Sequence, residues 1–141
     1  MTAEKKKPYS TTRDSLADFA RRDIALEGKS KPVFVAGSGP AVIVMAEMPG
    51  ISPEVARVAR WVRDAGFTVY MPVLFGDPGR PVDSLLYALP VLARGCIARE
   101  FHAFRANSSG PIAVWLRGLA RLALSEAGGK GVGAIGMCFT G

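Results

Sequence analysis

A cysteine that could act as a nucleophile stands near the end of the chain, in the run Gly136-Met-Cys-Phe-Thr-Gly141. Gly136 stands two places before Cys138 and Gly141 three places after it, behind the short strand-like run Val132-Gly-Ala-Ile135, a pattern that fits a sharp strand-to-helix turn holding its central side chain in strained backbone geometry. A free thiol has a pKa of about 8.5 and is little ionised at neutral pH, so it needs a base or a helix N-terminus to become reactive. By residue type alone Cys138 also reads as a small packed hydrophobe. Glu47 is the second residue that invites chemistry, because it follows the continuous apolar run Ala41-Val-Ile-Val-Met-Ala46. A carboxylate there costs on the order of several kcal/mol if buried without partners, so it is either a strand-end ion pair or a site residue in a cleft. Gly131-Val-Gly-Ala-Ile-Gly136 also matches the spacing of a dinucleotide fingerprint. That reading needs a strand before the glycines, a helix opening within them and an acid about twenty residues on.

The elements that must hold these residues follow from periodicity. Residues 41–46 read as a strand buried on both faces of a sheet. Ser52-Pro53-Glu54 opens a helix with a capping hydroxyl, a proline in the first turn and an early acid; Val55, Val58, Ala59 and Val62 form its inner face and Gly66 ends it. Phe67-Thr-Val-Tyr-Met71 is the next strand, closed by Pro72. A strand-helix-strand unit of this kind runs its strands parallel and places ligands outside their carboxyl ends. Upstream, Lys31–Ala36 is expected as a short strand, turned by Gly37-Ser-Gly-Pro40 into residues 41–46. Leu16, Phe19, Ala20 and Ile24 recur at helical spacing, which predicts a helix over residues 10–28. Gly76, Pro78, Gly79 and Pro81 mark residues 75–90 as a loop able to shape a pocket, ahead of a helix over residues 91–104. A further helix starts at Pro111, carries Ile112, Trp115, Leu116, Leu119 and Leu122 on one stripe, and stops at Gly128-Gly129. Residues 132–135 form the strand that leads to Cys138.

Two segments in register carry a resemblance to a known family. Ala134-Ile-Gly-Met-Cys-Phe-Thr-Gly141 resembles the cysteine elbow of the dienelactone hydrolases, and Met45-Ala-Glu-Met-Pro-Gly-Ile51 resembles the family segment in which a strand ends in glutamate. The similarity runs from about Pro32 to Gly141 and includes the Trp115-Leu-Arg region. Family members usually have glycine two places after the cysteine; here Thr140 stands there and Gly141 follows. The resemblance implies an α/β-hydrolase-type fold, a mostly parallel sheet with flanking helices, incomplete at the C-terminus, and the hydrolysis of carboxylic esters or lactones. It implies Cys138 as nucleophile, Glu47 in contact with its thiol, and the backbone N–H groups of Met48 and Phe139 as the oxyanion hole. It implies no metal and no organic cofactor. The family order of nucleophile, acid, histidine puts the last two beyond residue 141. The chain's one histidine, His102, precedes Cys138 and reads as a surface or boundary residue, and Cys96 reads as a packed helix residue. Arg80 stands in a loop suited to a substrate carboxylate.

At 141 residues the chain is expected to be a single domain, with residues 1–9 a flexible tail. The net charge of +6 comes from tail lysines and scattered arginines with no interleaved aromatics, which argues against a nucleic-acid partner. No apolar run is long enough to span a bilayer, and the basic start lacks the apolar core of a secretory signal. Two distant cysteines fit reduced thiols in a cytoplasmic protein. The 141 residues are expected to be a fragment of a longer hydrolase, nearly inactive alone. The competing readings are a non-catalytic short paralogue that uses the sheet as a binding or interaction surface, and nucleotide binding through residues 131–136. Oligomeric state is not legible.

Overall fold

The computed structural model describes residues 10–46, 49–82, 85–93 and 110–137. Five strands, β1 (Ala20–Leu26), β2 (Lys29–Ala36), β3 (Ala41–Met45), β4 (Thr68–Pro72) and β5 (Gly133–Gly136), form one sheet in the order β1-β2-β4-β3-β5. Three helices accompany it: α1 (Pro53–Asp64), α2 (Leu85–Ala93) and α3 (Pro111–Ala127). The sheet is mixed rather than mostly parallel. β3 pairs in parallel with β4 and with β5, whereas β2 pairs antiparallel with both β1 and β4. Although residues 37–40 connect β2 to β3, β4 lies between these two strands.

Alternation along the strands sends side chains to two apolar layers. Val42, Val44, Val69, Met71 and Phe34 pack with Val55, Ala56 and Ala59 of α1 on one face. Ala41, Ile43, Tyr70 and Val33 pack with Trp115, Leu119 and Ala123 of α3 on the other. β3 is therefore buried on both sides, as its unbroken apolar run requires. Helix α1 starts as its sequence dictates: the Ser52 hydroxyl accepts from the Val55 N–H at 3.3 Å, Pro53 takes the first turn, and Gly66 turns out at φ 97°. Trp115 is buried, and its indole N–H donates to the Lys29 carbonyl at 3.1 Å.

Two elements differ from the sequence expectation. The segment expected as a helix over residues 10–28 instead turns at residues 17–18 and runs into strand β1, which forms a hairpin with β2. Leu26 pairs with Lys29 across Glu27 (φ 52°) and Gly28 (φ 74°), the doubly left-handed two-residue turn that matches strand twist. The strand pattern is hidden in the sequence because Arg22 occupies an inward position beside Ile24. Its guanidinium makes two bonds, 2.6 and 2.7 Å, to Glu126 of α3, and Tyr70 Oη donates to the same carboxylate at 2.8 Å. Burial, reinforced by that carboxylate, pushes the Tyr70 phenol up to about 12. The second difference is α2, which begins at Leu85 inside the expected loop and carries Pro90 within it. Residues 94–104 of the helix expected over 91–104, with Cys96 and His102, lie outside the described residues, as does the tail 1–9.

An ion network fastens residues 10–19 to α1. Arg60 binds Asp14 through two bonds of 2.7 and 2.9 Å and Asp18 through two of 2.8 Å, while Arg63 reaches Asp18 at 2.6 Å. Both guanidinium groups lie 5.7 Å from the centre of the buried Phe19 ring. Arg60 holds the carboxyls of Asp14 and Asp18 below their usual range. Charge-assisted bonds to a partly buried partner contribute about 2 kcal/mol, so Arg60→Ala should lower unfolding stability by about that much at neutral pH. Because the carboxylate pKa values are depressed in the folded state, this contribution is complete above the unfolded value of about 4 and is lost as pH falls through the folded values. Urea titrations should show a constant gap between wild type and variant from about pH 7 to 5 that closes in stronger acid. A gap that persists unchanged at the acid end would assign the loss to packing on Phe19 instead.

Candidate active site

Parallel pairing of β3 with β5 runs from Val42 with Gly133 to Met45 with Gly136, so the two strands end level with one another. The chain leaves β3 through α1 on one face to reach β4, then returns through α3 on the opposite face to reach β5 on the other side of β3. Strand order reverses there. In open α/β sheets such a reversal leaves a crevice outside the carboxyl ends of the strands, where ligands bind. Glu47 is two residues beyond Met45, and Cys138 is two residues beyond Gly136. Glu47, Met48, Cys138 and Phe139 themselves lie outside the described residues. Gly133 and Gly136 belong to β5 itself, so that part of the glycine run is strand and not a phosphate-binding turn.

Around this end of the sheet, Leu74, Phe75 and Ile112 form a small buried cluster with Met45, Val91 and Leu116 against it. Beyond β4, residues 73–81 turn back over the sheet edge. The Gly79 N–H donates to the Ile51 carbonyl at 2.7 Å, and the Asp14 N–H donates to the Gly79 carbonyl at 2.8 Å. Tyr87 of α2 closes the loop from above: its hydroxyl accepts from the Asp77 N–H at 2.7 Å. The Arg80 guanidinium lies 3.9 Å from the centre of the Tyr87 ring. Arg13 binds Asp77 through both carboxylate oxygens and holds that carboxyl below its ordinary range. On α2, Leu86 is 82% exposed and Leu89 57% exposed, which gives this border an apolar outer side. Among the described residues no three His, Cys, Asp or Glu side chains come together as a metal ion requires. Nor is any of their helices long and apolar enough to cross a membrane.

Sequence reasoning anticipated an irregular segment from residue 75, which holds through residue 82, but neither its fixed geometry nor the helix that begins at Leu85. Three glycines carry that geometry. A side chain on Gly50 or Gly76 would collide with the backbone of residues 75 or 49, and one on Gly79 with the Asp14 carbonyl. The only local signal was the density of glycine and proline, since the colliding partners are distant in sequence. Tyr87 carried no signal at all.

No protein-family model matches the chain, and no curated protein matches it in sequence. Solved structures do. The chain is similar to a Klebsiella pneumoniae protein assigned as a dienelactone hydrolase, with a TM-score of 0.60 and 19% identity over 86% of this chain and 50% of that one. The thioesterase domain from the curacin biosynthetic pathway (TM-score 0.49, 16% identity, 86% and 38% covered) also matches. So does a cold-adapted esterase from an Arctic intertidal metagenomic library (TM-score 0.49, 12% identity, 93% and 53% covered). The chain thus spans about half the length, or less, of the structures it matches. The fold assignment rests on the first of them, whose backbone agreement extends through most of this chain. With β3 flanked by two parallel neighbours, β4 and β5, and helices α1 and α3 on opposite faces, the described residues have an α/β-hydrolase-type fold, and the solved structures they resemble include a protein assigned as a dienelactone hydrolase.

Proposed function

We propose that this chain supplies the nucleophile half of a dienelactone hydrolase-like enzyme that cleaves carboxylic esters or lactones through Cys138. One observation carries the reading: the parallel register that ends β3 and β5 side by side, Met45 against Gly136, at the strand-order reversal. The strands ahead of Glu47 and Cys138 are level, and the two residues follow them at the same interval. In the proposed reaction the Cys138 thiolate attacks the carbonyl carbon, and the oxygen takes up the negative charge beside the N–H groups of Met48 and Phe139. Collapse breaks the bond to the alcohol oxygen, which takes up the proton given up by the thiol and, in a lactone, stays joined to the acyl chain; water then adds to the acyl-cysteine and releases the carboxylic acid and the thiol. The second step needs a base. By the family order the acid and histidine follow the nucleophile, and none follows Cys138 in these 141 residues. A small-molecule ester or lactone is the partner, with no cofactor, in a reduced and cytoplasmic setting.

Cys138→Ala in the full-length protein should abolish turnover of p-nitrophenyl acetate, and iodoacetamide should label Cys138 in the wild type. Retained turnover in the variant refutes the nucleophile assignment, and an inert thiol favours the non-catalytic paralogue. Glu47 is proposed to touch the thiol, and an anion beside a thiol disfavours the thiolate. Glu47→Gln should therefore move the pH midpoint of Cys138 alkylation downward; an unchanged midpoint separates the two residues. Arg80, held on the Tyr87 ring at the border of this edge, is proposed to meet a substrate carboxylate. On that basis Arg80→Ala should raise KM for an ester bearing a carboxylate more than for its neutral counterpart, and equal changes would remove the role.

A further inference from the structure

Beyond the carboxyl ends of β3 and β4, three backbone segments lie against one another with no room for side chains between them. A Cβ on Gly50 would stand 2.7 Å from the Phe75 carbonyl oxygen, one on Gly76 2.2 Å from the Pro49 carbonyl oxygen, and one on Gly79 2.0 Å from the Asp14 carbonyl oxygen. Real Cβ contacts under 3.0 Å essentially never occur. Hydrogen bonds run through the same stack, from Asp14 N–H to the Gly79 carbonyl and from Gly79 N–H to the Ile51 carbonyl. Outside it, Arg13 grips Asp77 and donates to the Pro78 carbonyl at 3.2 Å, while Arg60 anchors Asp14 to α1. Residues 75–80 are thus a wedge, pressed on one side by residues 49–51 and on the other by a strap at residues 13–14.

We propose that this wedge positions the segment that carries the oxyanion-hole N–H of Met48, with Gly79 and Arg13 as positioning residues. The inference rests on the hydrolase reading given above. Pro49 is bonded directly to Met48 and its ring fixes its own φ, so a shift of residues 49–51 moves the point to which Met48 is joined. Stabilisation of a developing oxyanion depends on donors held within a few tenths of an ångström, and displacement by about 1 Å can cost on the order of a hundredfold in rate. The strap therefore acts on the chemistry from a distance, through backbone contact and not through charge at the reacting atoms.

The test uses the full-length protein, p-nitrophenyl acetate and four variants. In Gly79→Ala the new methyl group meets the Asp14 carbonyl, so kcat should fall about tenfold or more while KM and the rate of Cys138 alkylation by iodoacetamide stay at wild-type values. Arg13→Ala, which removes an exposed ion pair and the bond to the Pro78 carbonyl, should lower kcat in the same sense by a smaller factor, and it carries the test if Gly79→Ala does not fold. Gly28→Ala is the control: its φ of 74° imposes comparable backbone strain in the β1–β2 turn, with nothing within 4 Å of the added carbon, and kcat should not change. Wild-type kcat in both wedge variants overturns the proposal, as does an equal loss in Gly28→Ala, which would show general loosening. Full turnover in Cys138→Ala overturns the hydrolase reading itself and the wedge's role with it, and so is distinct from a failure of the wedge alone.

Discussion

β3 is hydrogen-bonded on both sides and buried on both faces, so a slip in its register would break its fit to two close-packed apolar layers at once. Its pairing with β4 is fixed by the α1 crossover, and its pairing with β5 by the return through α3. These two constraints together bring the ends of β3 and β5 level. The proposed chemistry inherits its geometry from that pairing, because residues that follow two parallel neighbours at equal intervals start from adjacent points.

The second constraint acts on backbone and not on side chains. Loops past strand ends hold a shape poorly unless something replaces the missing ladder, and here the replacement is direct contact between main chains at Gly50, Gly76 and Gly79. Each glycine has a positive φ, and at each the neighbouring carbonyl occupies the space of a side chain. Charged pairs such as Arg13 with Asp77 and Arg60 with Asp14 then lock the segments from outside. The chain beyond the carboxyl ends of β3 and β4 is in this way tied to the segment ahead of β1, which a description confined to the sheet would treat as peripheral.

Local pattern made β3, α1, β4, α3 and β5 legible, because each is specified by signals within its own length: an unbroken apolar run, a Ser-Pro-Glu cap, a stripe that includes Trp115 and Leu119, and flanking glycines. The hairpin failed this test. Leu16, Phe19 and Ile24 are spaced as on a helix, and the alternation of β1 is interrupted by Arg22, a partly exposed side chain on the same side as Ile24 that binds Glu126, the carboxylate Tyr70 also reaches, from a distant part of the chain. Pro90, the last residue of the expected loop, lies inside α2.

By itself, then, the sequence determined which segments form β3, α1, β4, α3 and β5, and it set Glu47 and Cys138 two residues past Met45 and Gly136, since periodicity and capping act over a few residues. Only the tertiary structure decided that β5 lies beside β3 and not beside β4, that β1 is a strand, and that residues 13–14, 49–51 and 75–80 stack against one another. Those outcomes depend on contacts between residues tens of positions apart, whose energies no local pattern encodes.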